Sequence, residues 1–214
     1  TIESVLGQSY TRIEYIIIDG ASTDRTMDIV NRYRGRIATI ISEKDRGLYD
    51  AMNKGMQVAT GDYLLFLNAD DQLYEDTILE EAFALEQGAD AYYGEAIFVD
   101  KTGKEKGLRS VQTPHKVPEQ LGWRSLRYGM VVSHQAFIVK RERAPLYDLQ
   151  YKVCADIDWM IRCLQRCDTV CNTHLILAKF RMGGTSKQQQ QLGWKERYLI
   201  LQKYYGVSPN FFHH

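Results

Sequence analysis

The chain has 214 residues, 44% hydrophobic and 25% charged, which suits one large globular domain, or one with a small appendage, and excludes a disordered chain. Its 27 Lys and Arg offset 27 Asp and Glu, so no global field selects nucleic acid, and a polyanion would need a local patch. No apolar run reaches the roughly 18 residues of a membrane span, and the opening Thr1-Ile2-Glu3-Ser4 is no signal peptide, so a cytoplasmic protein is expected.

Ile2, Val5 and Leu6 make a helical stripe, and residues 15–18 make a strand that stops at Asp19-Gly20. Ser22-Thr23-Asp24 offers a helix cap, and Met27, Ile29, Val30 and Tyr33 continue as a helix ending near Gly35. Residues 37–41 form a second strand, and Leu48, Met52, Met56 and Ala59 form the inner face of the next helix. Residues 63–67 are an apolar run without alternation, the pattern of a strand covered on both faces, and the run breaks into Asn68-Ala69-Asp70-Asp71. Strands alternating with helices at these lengths imply right-handed βαβ units and a mostly parallel sheet.

A helix is expected over residues 77–86, a strand over 90–93, and a hairpin over 96–108 that turns at Asp100-Lys101-Thr102-Gly103. Residues 112–132, with Pro114 and Pro118, show no regular period. A strand over 136–139, a cysteine-bearing helix, strands between 169 and 182 and a helix over 192–205 complete the reading. There is no internal repeat, and residues 188–191 are the one low-complexity run. A doubly wound domain normally opens on a strand, so a first strand is expected to precede Thr1. His213-His214 reads as a tag remnant.

The four cysteines, Cys154, Cys163, Cys167 and Cys171, share one short segment without C-x-x-C or a nearby His pair, which argues against zinc. Trp159, Met160, Cys163, Leu164 and Cys167 recur at helical intervals, so reduced thiols facing a core are expected, consistent with a reducing compartment. The last helix carries Leu192, Trp194, Tyr198, Leu199, Leu201, Tyr204 and Tyr205, more apolar surface than a narrow stripe needs. Packing on the domain is its expected role, with a second copy of the chain or a membrane surface as the alternatives.

Three successive strand ends carry polar groups: Asp19, residues 43–46, and Asn68 to Asp71. Asp19 alone reads as an Asx turn, but ligands of open α/β sheets collect at the carboxyl ends of strands, where the three ends would line one crevice. Hard oxygens at the third end suit Mg2+ or Mn2+, ions that usually arrive with a phosphate.

Four passages then carry a resemblance. They are Glu14-Tyr15-Ile16-Ile17-Ile18-Asp19-Gly20-Ala21-Ser22-Thr23-Asp24, Glu43-Lys44-Asp45-Arg46-Gly47-Leu48-Tyr49-Asp50-Ala51-Met52-Asn53-Lys54-Gly55, Gly61-Asp62-Tyr63-Leu64-Leu65-Phe66-Leu67-Asn68-Ala69-Asp70-Asp71, and the shorter Ala155-Asp156-Ile157-Asp158-Trp159. Together they resemble the family 2 glycosyltransferases of GT-A fold. The resemblance implies a Rossmann-like, mostly parallel α/β sheet flanked by helices, with a small antiparallel element and a C-terminal helix. It divides the chain into a donor-binding half over 1–110, an acceptor and catalytic-base half over 111–185, and a helical segment over 186–214.

By the same resemblance, Asp19 meets the nucleotide base, commonly uracil, which favours a UDP-sugar donor. Asp45 and Arg46 flank the donor, and Asn53 lies on the helix beside it. Asn68-Ala69-Asp70 stands at the family's D-x-D position with Asn for the first Asp, so Asp70 would bear most of the metal binding, helped by Asn68 and Asp71. Asp71 alternatively caps a helix beginning near Glu75. Ala155-Asp156 replaces the usual Glu-Asp and makes Asp156 the candidate base, with Asp158 as rival and helix capping as the bland role of either. His134 and Trp123 fall on the acceptor side, where a structural His and a local core around Trp123, Arg124 and Tyr128 are the alternatives.

The implied reaction is inverting transfer from a nucleoside diphosphate sugar to a saccharide or lipid-linked saccharide, at the inner face of a membrane if the acceptor is lipid-linked. A non-catalytic nucleotide-sugar binding module is the rival. A dinucleotide oxidoreductase is disfavoured, because no G-x-G-x-x-G follows a strand.

Overall fold

In the computed structural model, residues 1–183 and 189–206 are described. The β-branched run at the first strand extends as β1 (Ile16–Asp19), which lies parallel to β2 (Thr39–Ser42) with Ile17 opposite Ile40 and Ile18 opposite Ile41. Between them runs α2 (Thr26–Arg32), and before them α1 (Ile2–Leu6). The expected Ser-Thr-Asp cap is not made: the N-cap of α2 is Arg25, which makes no side-chain cap hydrogen bond, and the Asp24 carboxylate just before it accepts the Thr26 N–H at 2.9 Å.

The larger sheet is mixed. Its strands are β3 (Tyr63–Leu65), β4 (Gln72–Leu73), β5 (Ala91–Val99), β6 (Glu105–Leu108), β7 (Phe137–Lys140) and β8 (Val170–Arg181), in the order β3-β7-β5-β8-β4 with β6 beside β5. Only β5 and β8 pair in parallel there; β3–β7, β5–β7, β5–β6 and β4–β8 are antiparallel. The expected parallel pairing therefore holds for β1–β2 and β5–β8. The two-residue β4 escaped the sequence reading, and the expected strands between 169 and 182 are the single β8.

Side chains alternate across this sheet and build two cores. On one face Ala91, Tyr93, Phe137 and Val139 pack with α3 (Leu48–Val58), α6 (Ala155–Leu164) and α7 (Gln190–Tyr205). On the other, Tyr92, Ala96 and Ile138 pack with α1 and α4 (Ile78–Leu85). Trp159 is wholly buried, and its indole N–H donates to the Pro145 carbonyl at 2.7 Å. Cys154, Cys163 and Cys171 are buried free thiols and Cys167 is half-buried. On α7, Ile200 and Leu201 are buried while Trp194 is 62% exposed.

On α3 the expected inner positions Met52 and Met56 are buried and Ala59 packs against the core, and only Leu48 departs from expectation. Tyr49, Met52, Asn53 and Met56 face inward, and Leu48 is half exposed. Among the described residues β1 and β3 each pair on one side only, and their free edges border one cleft of about 1780 Å³. Ile16, Ile17, Ile18, Leu64 and Leu65 make its walls apolar, and Asp19, Asp45, Asn68, Ala69 and Asp70 lie along it. His213 and His214, and part of the 188–191 run, fall outside the described residues.

Candidate active site

The end of β1 buries Asp19 to 6% exposure, where one carboxylate oxygen accepts the Ser22 N–H at 3.0 Å and the Ser42 hydroxyl at 2.6 Å. Burial opposes ionisation, but these hydrogen bonds outweigh it and hold Asp19 below the usual carboxylate range. The group is thus a fixed anion at the cleft wall. Asp45 closes the β1 end from the next loop, accepting the Gly47 N–H at 2.9 Å, and its other oxygen presses so close to Gly20 that a Cβ there would collide. Arg46 points outward with its side chain 75% exposed and pairs with Asp50 at 2.9 Å, at the entry of α3.

At the third strand end the two adjacent carboxylates part company. Asp70 sits at φ 77, a left-handed conformation uncommon for a side-chain-bearing residue, and its carboxylate is 57% exposed beside the cleft. It forms an ion pair with Arg181 at 2.5 Å. Asp71 turns beneath the strand end, 3% exposed, where one oxygen accepts from the Gln135 amide at 2.7 Å and the other from the Arg181 N–H at 3.0 Å. Burial pushes its carboxyl up to about 6. The structure gives Asp71 to the joint between the strand ends rather than to the cleft, and α4 begins at Ile78, beyond the reach of an Asp71 cap.

Among the described residues no three His, Cys, Asp or Glu converge to hold a metal ion unaided. Asp70 with the Asn68 amide oxygen still offers the donor set that Mg2+ or Mn2+ uses when substrate phosphates complete the shell. Asn53 is engaged elsewhere: its amide clasps the Tyr147 backbone, accepting N–H at 2.7 Å and donating to the carbonyl at 3.0 Å.

The first turn of α6 separates the rival bases. Asp158 has no exposure and is fully engaged, by Arg162 Nε at 2.7 Å, Lys203 Nζ at 3.0 Å and Tyr204 hydroxyl at 2.8 Å. It ties α7 to α6. Asp156 keeps partial exposure, with one oxygen on the Ile157 N–H at 2.9 Å. Burial pushes its carboxyl up to about 6, with Ile157, Tyr49 and the Arg197 charge pulling the other way. The helix cap is Cys154, so neither aspartate serves as that cap. From α7, the buried Glu196 carboxylate accepts the N–H groups of Lys152, Val153 and Cys154 at 2.7, 2.8 and 2.9 Å.

His134 lies in the core, 6% exposed, stacked on Phe66 at 5.4 Å, edge-on to Trp159 and hydrogen-bonded to the Tyr147 hydroxyl at 2.7 Å. Burial lowers its pKa to about 4, so it is neutral at pH 7. Trp123 is half-buried, stacked on Tyr205 at 5.6 Å, with the Arg124 guanidinium 4.5 Å from its ring centre. Sequence reasoning missed Arg181 and Tyr49. A basic residue at the end of a strand was the available signal for the first.

A curled mixed sheet with acidic strand ends along one cleft is the GT-A architecture of glycosyltransferases. Residues 1–144 match Glycosyl transferase family 2, and the chain belongs to that family. It is 33% identical over 196 residues to a PGL/p-HBAD biosynthesis glycosyltransferase of Mycobacterium bovis, covering 86% of this chain and 72% of that protein. Its fold is similar to Staphylococcus aureus TarS in complex with UDP, with TM-score 0.68 and 15% identity over 95% of this chain; the chain spans 65% of that one. It is also similar to the mannosyltransferase PcManGT from Pyrobaculum calidifontis in complex with GDP-Man and Mn2+, with TM-score 0.65 and 15% identity over 99% of this chain and 61% of that one.

Proposed function

We propose that the chain carries the donor site and base of an inverting glycosyltransferase, which moves a sugar from a nucleoside diphosphate sugar to a hydroxyl of a saccharide or lipid-linked saccharide. The observation that carries this reading is the convergence of Asp19, Asp45, Asn68 and Asp70 on one cleft. Asp19 accepts a base N–H through its carboxylate, which the Ser22 N–H and the Ser42 hydroxyl hold in place, and this favours a uracil donor. Asp45 and Arg46 flank the diphosphate, and Asn53 holds the wall behind them. Asp70 and Asn68 would hold Mg2+ or Mn2+, and Asp71 braces their strand end. Such an ion, when bound, would offset the charge that grows on the departing diphosphate.

Asp156 takes the acceptor hydroxyl's proton as that oxygen attacks the anomeric carbon and the bond to the diphosphate breaks, so the configuration inverts. A carboxyl pushed up to about 6 suits this work near neutral pH. Trp123 is the acceptor contact, and His134 stands behind the site as a neutral support of Tyr147. Among the described residues no helix is long and apolar enough to cross a membrane. The exposed Trp194, Leu192 and Leu199 of α7 support work at the cytoplasmic face of a membrane, where a lipid-linked acceptor is presented.

The test is release of nucleoside diphosphate from a panel of nucleoside diphosphate hexoses, with and without Mn2+, by the wild type and by Asp156→Asn. Turnover by the wild type and its loss in Asp156→Asn is the expected result. Turnover by neither, at saturating donor and acceptor, would sink the catalytic reading in favour of a binding module.

A further inference from the structure

Three basic side chains from three separate elements surround the turn at residues 129–131. Arg109, in α5 (Arg109–Gln112), is only 8% exposed, and its guanidinium donates to the carbonyls of Val131, at 3.0 Å, and Met130. His115 lies against Gly129, where an added Cβ would stand 3.2 Å from its Nε2 and 3.8 Å from Nη1 of Arg197. Arg197 arrives from α7, and its Nε is buried with no hydrogen-bond partner among the described residues.

Buried guanidinium groups are almost always paired with an acid. Among the described residues neither Arg109 nor Arg197 belongs to an ion pair. Glu95 attracts Arg109, and Asp156 attracts Arg197, from beyond ion-pair distance. The two arginines meanwhile repel each other, and burial together with both of them drives His115 towards its neutral form. The cluster thus concentrates donors and positive charge in a partly dry place without a matching anion.

We propose that Arg109, His115 and Arg197 receive a phosphate group carried by the acceptor. The proposal rests on the glycosyltransferase reading and names its acceptor class. Guanidinium forks match phosphate oxygens, and an anion there would make His115 a further charged donor. Arg197 follows Glu196, whose carboxylate accepts the N–H groups of Lys152, Val153 and Cys154 at the entry of α6, so a phosphate anchored here would bring the rest of its molecule into the surroundings of Asp156.

The experiment follows the His115 ring resonances by NMR while inorganic phosphate is added to protein saturated with UDP, so that the donor site is already filled. The expected result is a saturable shift in the wild type, weakened about tenfold in Arg197→Gln and less in Arg197→Lys, which keeps the charge but loses the fork. Circular dichroism checks that each variant is folded, and the lysine variant carries the test if the glutamine variant is not.

A wild type that binds UDP but shows no saturable His115 response below about 20 mM phosphate overturns the anion site alone. A wild type that fails to bind UDP instead overturns the donor-site reading. A response in Arg197→Gln equal to that of the wild type also overturns the anion site. Displacement of phosphate by a hexose phosphate, and not by phosphatidylcholine vesicles containing phosphatidic acid, assigns the anion to a soluble acceptor, and the reverse assigns it to a lipid headgroup. Displacement by neither overturns the acceptor assignment.

Discussion

Replacing Asp158 by Asn tests the division of labour within α6. The carboxylate has no exposure and holds Arg162 at 2.7 Å, Lys203 at 3.0 Å and Tyr204 at 2.8 Å. An amide keeps the shape but removes the charge and presents an NH2 to two cations. Breaking a buried pair by removing one partner costs about 3–5 kcal/mol. The Lys203 side chain is 44% exposed and water replaces part of what it loses, so the low end of that range, about 3 kcal/mol, is expected. For a chain of this size that is a fall in melting temperature of about 6–12 °C. Urea unfolding followed by circular dichroism measures the loss, and sugar transfer below the new melting temperature measures function. Near-normal turnover per folded molecule is expected. Unchanged stability with abolished transfer would refute the reasoning and make Asp158 the base.

Asp156→Asn is expected to lower kcat by about 10²–10⁴ while the donor's KM changes little, as steady-state kinetics would reveal. In the wild type kcat should fall as pH drops through about 6, because the base must be ionised; a flat profile from pH 5 to 8 would contradict the assignment. The carboxyl's folded pKa lies above its unfolded value, so ionising it opposes folding as pH rises through that interval. Asp156→Asn should therefore be more stable than the wild type by about 3 kcal/mol at pH 8, with the gap closing below pH about 4 in denaturant titrations. Glu196→Ala strands three backbone N–H groups at the entry of α6 and should cost about 2–4 kcal/mol by urea unfolding. Asp70→Asn should weaken Mn2+ binding in the presence of UDP at least about tenfold by water-proton relaxation; equal affinity would remove Asp70 from the cation site.

Short-range patterns carried the first half of the site. Asp19 was legible because a β-branched run stops at it, and Asp45 because it stands in the Glu43 to Gly55 passage that carries the family resemblance. Side-chain direction was not legible where distant strands decide it. Asp70 and Asp71 are adjacent in sequence, yet β8, about a hundred residues later, takes Asp71 by a backbone N–H and Asp70 by the Arg181 side chain. His134 read as an acceptor-side contact or a structural His, and Asn53 as a donor-side residue, and the sequence could not place them because the aromatic shell of Phe66, Tyr147 and Trp159 assembles from three separate segments. The choice between Asp156 and Asp158 hung on helical phase, and Arg162 four residues after Asp158 was the local sign of an internal ion pair. The mixed sheet was hidden for a similar reason, since β7 emerges from the irregular 112–132 region rather than from a βαβ crossover.

The central claim is that the acidic end of the cleft binds a nucleoside diphosphate through Asp19. Calorimetric titration of UDP with Mn2+ into the wild type and into Asp19→Ala tests it most directly. The account predicts saturable one-site binding by the wild type and at least about tenfold weaker binding by the variant. No binding by the folded wild type, or equal binding by both proteins, would contradict it.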